Sequence, residues 1–326
     1  MSKRHLFLFL SLLIVFSFLE MCSNNAALSQ TGFGGADPAV QNVPTRDWVV
    51  YSRMDPKGAA WLWAMPDKGT QPVRLFEGYL PAKSPVGDQV AFVRDTSVDG
   101  ATVFRAGILD KSPVALYVSA EKVSYLAWSP RGNQIAVGLL DKVVLVRTDG
   151  TPTNTLNLFR NGIGFAFNPV WMPDGEAIMF HDNRQVYIVS TKGAVVEHFT
   201  IAGFTAGLRD TEAVTDSSDR FVPHPSDPNQ LAFTAKVPGT PEFDRIFNGE
   251  PNTALFVYDR YTGVRRRLTP DFIMAMDPVW SRDGKTLWFT GYADRDGTKA
   301  DPWKIYRVNA DGTNLTLVTV GEHPSL

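Results

Sequence analysis

The sequence predicts an all-β fold, a six-bladed β-propeller of four-stranded antiparallel blades. Three observations predict it. A short apolar strand recurs six times, as Trp48 to Ser52, Gln89 to Val93, Gln134 to Gly138, Ala177 to His181, Gln230 to Thr234 and Thr286 to Thr290. Five of these strands follow turns that are variants of one another: SPVGD, SPRGN, MPDGE, HPSDPN and SRDG. The turn glycines lie 45 residues apart (Gly87 to Gly132) and then 43 (Gly132 to Gly175), and the 109 residues from Gly175 to Gly284 hold two units, one of them enlarged. A period of about 40–50 residues with four strands per unit is the signature of propeller blades. Composition agrees: the chain is rich in aromatic residues, with 26 Gly and 22 Pro, and long amphipathic helical patterns are scarce.

The N-terminus reads as a targeting segment. Lys3, Arg4 and His5 precede an apolar core of 14 residues, Leu6 to Leu19. That is short of the ~20 residues a membrane-spanning helix needs, and it fits a secretory signal over residues 1–21. Cys22 is the only cysteine, so no intramolecular disulfide forms. It stands where a bacterial lipoprotein signal places its acylated cysteine, although Glu20 and Met21 replace the usual small residues. Two processing routes are open, lipidation at Cys22 or cleavage after Ala27-Leu28-Ser29. Residues 22–44, with Gly32, Gly34, Gly35 and Pro38, form a flexible tether, and residues 45–326 form the propeller.

The blade is clearest between Asp277 and Thr319. Asp277-Pro278-Val279-Trp280 enters, Ser281 to Gly284 turns, the apolar segments KTLWFT and WKIYRVN follow, Asn309-Ala310-Asp311-Gly312 turns again and NLTLVT closes. Asp-Gly pairs between apolar runs supply residues tolerant of φ > 0. In three blades the first strand ends in a tryptophan: Trp128, Trp171 and Trp280. His224 takes that place in a fourth. His323-Pro324-Ser325-Leu326 matches Asp277-Pro278-Val279-Trp280, so the C-terminus supplies the missing first strand of the first blade and closes the ring. Arg265-Arg266-Arg267, in a fourth strand, reads as a solvated edge that discourages strand-to-strand aggregation.

The W-S-P-D-G-like turns, the I-A-F-like strands and the D-G hairpins resemble the WD-like repeats of TolB-type β-propellers, over Arg46 to Leu326. The resemblance implies a bacterial envelope protein that binds partners; related blades also gate peptidases. TolB itself adds an N-terminal α/β domain, for which Gln30 to Pro44 leaves no room, and no hydrolase domain follows the blades.

Blade topology sorts the loops. Turns between strands one and two and between strands three and four share one face, and both are tight. The expanded loops fall on the other: Val237 to Asn252 and Gly291 to Pro302 between strands two and three, and Ala202 to Arg220 between the fourth and fifth blades. Long loops on a rigid scaffold are where binding resides. Aligned first strands place Leu80, Tyr125, Asn168, Phe221, Asp277 and His323 around the channel mouth on that face, and Asp244, Arg245, Asp294 and Asp296 lie in its loops. Asp294, Asp296 and Asp301 do not have the spacing of an EF-hand, so neither metal nor cofactor is expected.

No G-x-S-x-G elbow, H-E-x-x-H or Walker loop is present, so no catalytic residue is assigned. A formal charge of −2 leaves no basic footprint for nucleic acid or an anionic membrane. The expectation is an exported, monomeric binding scaffold of the cell envelope, periplasmic or membrane-tethered only through a lipidated Cys22, with an envelope protein or polymer as partner. The alternative is an enzyme acting on polysaccharide or peptide at the channel mouth, which inward-facing carboxylates and histidines there would favour.

Overall fold

The computed structural model describes residues 47–67, 71–97, 100–110, 112–208, 218–237, 253–293 and 303–326. The expected targeting segment and tether, Cys22, Asp244, Arg245, Asp294, Asp296 and Asp301 lie outside the described residues.

Among the described residues, twenty-four strands form six four-stranded antiparallel sheets. Blade 1 joins β24 (Glu322–Ser325) to β1 (Trp48–Met54), β2 (Ala60–Pro66) and β3 (Val73–Glu77). Blade 2 holds β4 (Tyr79–Lys83), β5 (Gln89–Asp95), β6 (Ala101–Gly107) and β7 (Val114–Ser119). Blade 3 holds β8 (Tyr125–Trp128), β9 (Gln134–Gly138), β10 (Lys142–Arg147) and β11 (Pro152–Asn157). Blade 4 holds β12 (Phe167–Trp171), β13 (Ala177–His181), β14 (Gln185–Ser190) and β15 (Val195–Thr200). After a short helix, α1 (Ile201–Thr205), blade 5 holds β16 (Phe221–Pro223), β17 (Gln230–Lys236), β18 (Thr253–Asp259) and β19 (Arg265–Arg267). Blade 6 holds β20 (Met274–Trp280), β21 (Thr286–Tyr292), β22 (Lys304–Asn309) and β23 (Thr316–Val320). First strands of neighbouring blades touch one another, which makes them the inner wall of the ring.

The core is divided among the blade interfaces. One apolar cluster fills each of the six junctions, for example Trp48, Leu62 and Phe92 between blades 1 and 2, and Val170, Phe221 and Phe233 between blades 4 and 5. A blade between two neighbours is covered on both faces, so second strands are buried almost throughout, as in β13, while the outer β15 is mostly exposed. Each fully buried Leu or Phe contributes about 1.5–3 kcal/mol relative to exposure. Interlocking turns add registration. A Cβ on Gly132 or Gly284, both with φ near +70°, would press on Val86 or His224 of the preceding blade, and Gly175 packs at ordinary contact distance on Arg131.

The C-terminal strand closes the ring as expected. β24 pairs with β1 through Val50–Ser325 and Ser52–Glu322. Ser52 Oγ donates to Glu322 O (3.3 Å), Lys83 N to Ser325 Oγ (2.8 Å) and His323 N to Thr290 Oγ1 (2.9 Å), so the strand is tied to blades 1, 2 and 6. The arginine triplet differs from its expected role. Only Arg266 is exposed; Arg265 donates to the carbonyls of Phe204 and Ala206, and Arg267 pairs with Asp271 at 2.6 Å. The triplet therefore fastens two interblade links, and Arg266 alone is exposed on the outer strand.

Candidate functional site

Four inner strands carry a non-glycine residue in the left-handed region at one shared position: Leu80 (φ 50), Asn168 (49), Asp277 (50) and His323 (53). Each lies where the ladder is interrupted. Pairing jumps from Tyr79 to Ala82, from Phe167 to Val170 and from Met276 to Val279, and it shifts opposite β24 between Val50 and Ser52. A bulge re-aims the side chain it carries. These four were aligned from the sequence. Tyr125 holds the same place in blade 3 without a bulge, paired with Gly138.

Blade 5 departs from the sequence alignment by one residue. Pro223 pairs with Leu231 as Trp128 pairs with Ile135 and Trp280 with Leu287. His224 N donates to Gln230 O as Ser281 N donates to Thr286 O. The turn from His224 to Asn229 is therefore one residue longer than its counterparts. Pro223, not His224, ends the inner strand, and the position facing the axis belongs to Arg220 rather than Phe221. Phe221 is buried between blades 4 and 5, stacked on Phe233 with ring centroids 5.9 Å apart. His224 spans the next junction, with Nε2 3.1 Å from Gly284 O.

With that correction the axial residues form a continuous cluster. Arg220 (4% exposed) reaches from the start of blade 5 to lie over the Tyr125 ring of blade 3, its guanidinium carbon 4.4 Å from the centroid. Its Nη2 donates to Asp277 Oδ1 of blade 6 at 2.8 Å. The other Asp277 oxygen accepts from Thr290 Oγ1 (3.0 Å) and lies 2.9 Å from Nδ1 of His323, on the closing strand. Blade 4 supports the approach of Arg220: Asn168 Nδ2 donates to Asp219 O at 2.7 Å, and His181 Nε2 donates to the same oxygen at 2.7 Å. Asp219 Oδ1 accepts from Thr234 Oγ1, and Arg220 N donates to that hydroxyl. Leu80, from blade 2, packs against the apolar junction of blades 2 and 3 and adds no polar group.

Electrostatics follow from this geometry. Burial pushes the Asp277 carboxyl up, but the charges of His323 and Arg220, with the hydrogen bonds from His323 and Thr290, outweigh it and hold the group well below the carboxylate range. Burial pulls His323 down; attraction and hydrogen bonding from Asp277, aided by Glu322, win and raise the ring above its ordinary value. Burial lifts Glu322, with Asp277 acting in the same sense and His323 against. Burial likewise lifts the Tyr125 phenol against the pull of Arg220. The cluster lies where the inner strands enter from the interblade links, on the face opposite the tight turns.

Arg220, Glu322 and Thr290 were not singled out in the sequence. A residue count from Gln230 back through HPSDPN, allowing for its longer turn, would have found Arg220. Nothing local distinguishes Thr290 from the other strand threonines.

The opposite face has its own groove, about 810 Å³, between the turns of blades 5 and 6, lined by His224, Asp259, Arg266, Asp283, Lys285 and Asp311 among others. Its carboxylates are committed to their own turns. Asp259 accepts from the Tyr261 and Thr262 amides, Asp283 from Ser281 Oγ and the Lys285 amide, and Asp311 from the Thr313 amide and hydroxyl. At the same end of its own inner strand, in blade 2, Lys83 stands where three other blades end in tryptophan. It is 3% exposed, and burial, reinforced by Arg282 and opposed by Asp47, lowers its ammonium to about 8. Among the described residues no three His, Cys, Asp or Glu side chains group closely enough to hold a metal ion, and no helix is long and apolar enough to cross a membrane.

No protein-family model and no curated protein matches the sequence. Solved structures do. TolB from Acinetobacter baumannii superposes with a TM-score of 0.63 at 14% identity, covering 86% of this chain and 66% of that chain. A chain of a nidogen/laminin complex superposes with a TM-score of 0.55 at 12% identity, covering 85% of this chain and 97% of that chain. At these identities the likeness establishes the propeller fold.

Proposed function

We propose that the chain is an exported, monomeric cell-envelope propeller that acts as a non-catalytic binding scaffold, engaging a protein or envelope-polymer partner through the face where the interblade links enter. The observation that carries this reading is the convergence of Tyr125, Arg220, Asp277 and His323, from four blades, at that end of the axis. Polar, partly desolvated groups held by a rigid ring are suited to recognition. The likeness to TolB and to a chain of the nidogen/laminin complex is consistent with this at the level of fold. Export rests on the N-terminal pattern of a basic start and a short apolar core, and lipidation at Cys22 would be the one membrane attachment. The test is affinity capture from the source envelope with the intact chain and with residues 238–250 deleted. The scaffold reading expects capture to be lost while the thermal transition is kept. Capture that survives this deletion but is lost on altering the tight-turn face would overturn the assignment.

The Asp277–His323 pair also favours a second reading, an enzyme acting on polysaccharide or peptide at the mouth. An imidazole oriented by a carboxylate is a recurrent general base. Both oxygens of Asp277 are already engaged, which leaves His323 as the one group of the pair free to move a proton. Turnover of a polymer or peptide that is abolished in His323→Asn, with partner capture intact, would establish the enzyme over the scaffold.

A further inference from the structure

We infer that the group the channel mouth takes from its partner is a carboxylate, presented by an acidic side chain or the chain terminus of a protein. The inference rests on the scaffold reading and names the chemistry of the same site.

Two cations share one anion here. Arg220 and His323 are both held by Asp277, one on each oxygen. The arginine commits a single N–H to that carboxylate. Its Nε is buried and has no hydrogen-bond partner among the described residues, a costly state for a donor in a desolvated site. His323 turns Nδ1 to Asp277, which leaves its other ring nitrogen for a ligand, and the side chain is 29% exposed. The free donors are thus a planar guanidinium edge and an imidazole N–H, both anchored on the same carboxylate. Planar forks of this kind suit a carboxylate, which accepts two parallel N–H bonds.

Charge selects the same ligand. With His323 protonated, the two cations that meet on Asp277 exceed that one carboxylate by one positive charge; the neighbouring Asp219 is bound to Thr234 instead, and burial raises Glu322. A monoanion neutralises that surplus. A dianionic phosphate would bring a second charge close to Asp277 with nothing to offset it. Geometry selects the source. Arg220 of blade 5 lies over the Tyr125 ring of blade 3 and bonds Asp277 of blade 6, so it bridges opposite blades, an arrangement suited to one projecting group rather than to a threaded polymer.

The experiment uses the full chain with labelled histidine, follows the His323 ring by NMR, and titrates three blocked pentapeptides carrying a central Glu, Gln or Lys, with sodium glucuronate and inorganic phosphate as further probes. The expected result is saturable movement of His323 by the Glu peptide alone among the peptides, tighter than for glucuronate or phosphate. His323→Asn, which suits the left-handed backbone, should weaken Glu-peptide binding about tenfold, since a charge-assisted hydrogen bond is lost, when read by calorimetry. Affinity should also fall as pH rises through the His323 value, with Asp277, Glu322 and Arg220 as the charged groups facing that ring. An equal response to the Gln or Lys peptide overturns the carboxylate while leaving the mouth as a binding site. Tighter binding of glucuronate or phosphate overturns the protein source or the monoanion. If no probe moves His323 while the intact chain still captures partners, the inference fails and the scaffold stands; if capture fails as well, both fall. Should His323→Asn not fold, Tyr125→Leu supplies the second variant, expected to weaken the Glu peptide through loss of the surface that fixes Arg220.

Discussion

The inner strand of blade 2 opens Gly78-Tyr79-Leu80-Pro81, and that of blade 1 opens Gly321-Glu322-His323-Pro324. Their backbones coincide. Gly78 and Gly321 have φ of 146° and 148°, and Leu80 and His323 follow at 50° and 53°. A Cβ on either glycine would stand 2.6 Å or 2.4 Å from an aromatic ring, Phe92 or Tyr51, and 2.8 Å from a carbonyl oxygen. The side chains diverge. Tyr79 and Leu80 pack on the apolar junction with blade 3, and the Tyr79 hydroxyl donates to Asp95. Glu322 and His323 enter the charged axial cluster. The bulged backbone is therefore a property of the propeller, and the site arises from which residues are placed on it. Blade 1 differs in one further respect, because its inner strand comes from the far end of the chain.

The most severe way to break the comparison is to remove the closing strand. Deleting residues 322–326 bares the inner edge of β1 and strips Asp277 and Thr290 of their His323 contacts. The expected loss is on the order of 5 kcal/mol, seen as a large drop in thermal midpoint and rapid hydrogen exchange across Trp48–Met54. A chain that keeps its midpoint after this truncation would show that ring closure does not depend on the clasp.

Asp277→Ala should come next. It leaves Arg220 buried with its charge unanswered, at a cost of about 3–5 kcal/mol. The double variant Asp277→Ala with Arg220→Met should recover much of that loss in urea unfolding, because the stranded charge is gone. Asp277 also sets an acid limb. Its folded value is depressed, so its contribution is present above the unfolded value of ~3.9 and is lost as pH falls toward the folded one. Asp277→Ala should flatten that limb.

His323→Leu transplants the blade 2 residue onto blade 1 and sharpens the comparison, since Leu80 shows that this backbone accepts leucine. The expected cost is about 1–2 kcal/mol for the lost charged contact. The raised His323 value means its contribution is full below the unfolded value of ~6.5 and is lost as pH rises through the folded one. Wild-type stability should therefore decline as pH rises past ~6.5 while that of His323→Leu stays level. A matching decline in the variant would assign the effect to other groups.

The architecture was legible because propeller turns repeat where the backbone demands them. Glycines at φ near +70° and short apolar second strands recur at a countable interval, and the match of His323-Pro324 to Asp277-Pro278 exposed the clasp. The site was legible only in part. Asp277, His323, Tyr125 and Asn168 were found because alignment carries a shared backbone position from blade to blade. Arg220 was missed because one extra residue in the His224 to Asn229 turn moved the register, and side chains on a strand change sides with a one-residue shift. What joins the four charged and aromatic groups is a chain of contacts from Tyr125 through Arg220 and Asp277 to His323, whose ends stand 198 residues apart in sequence (323 − 125). No local pattern records such contacts.

The smallest effect concerns the strain that blade 2 carries without a functional partner. Leu80 sits at φ 50°, a region where a leucine is disfavoured by about 1–2 kcal/mol and Asn is tolerated. Asn168 shows the preferred residue at the equivalent position of blade 4. Leu80→Asn removes this strain but also removes apolar contacts with a partly buried cluster. Relief of strain should win narrowly, because Leu80 is only half-buried, and the expected gain is about 0.5 kcal/mol in urea denaturation. A loss of stability instead would mean that packing on the blade 2–3 junction, rather than backbone preference, keeps leucine in this place.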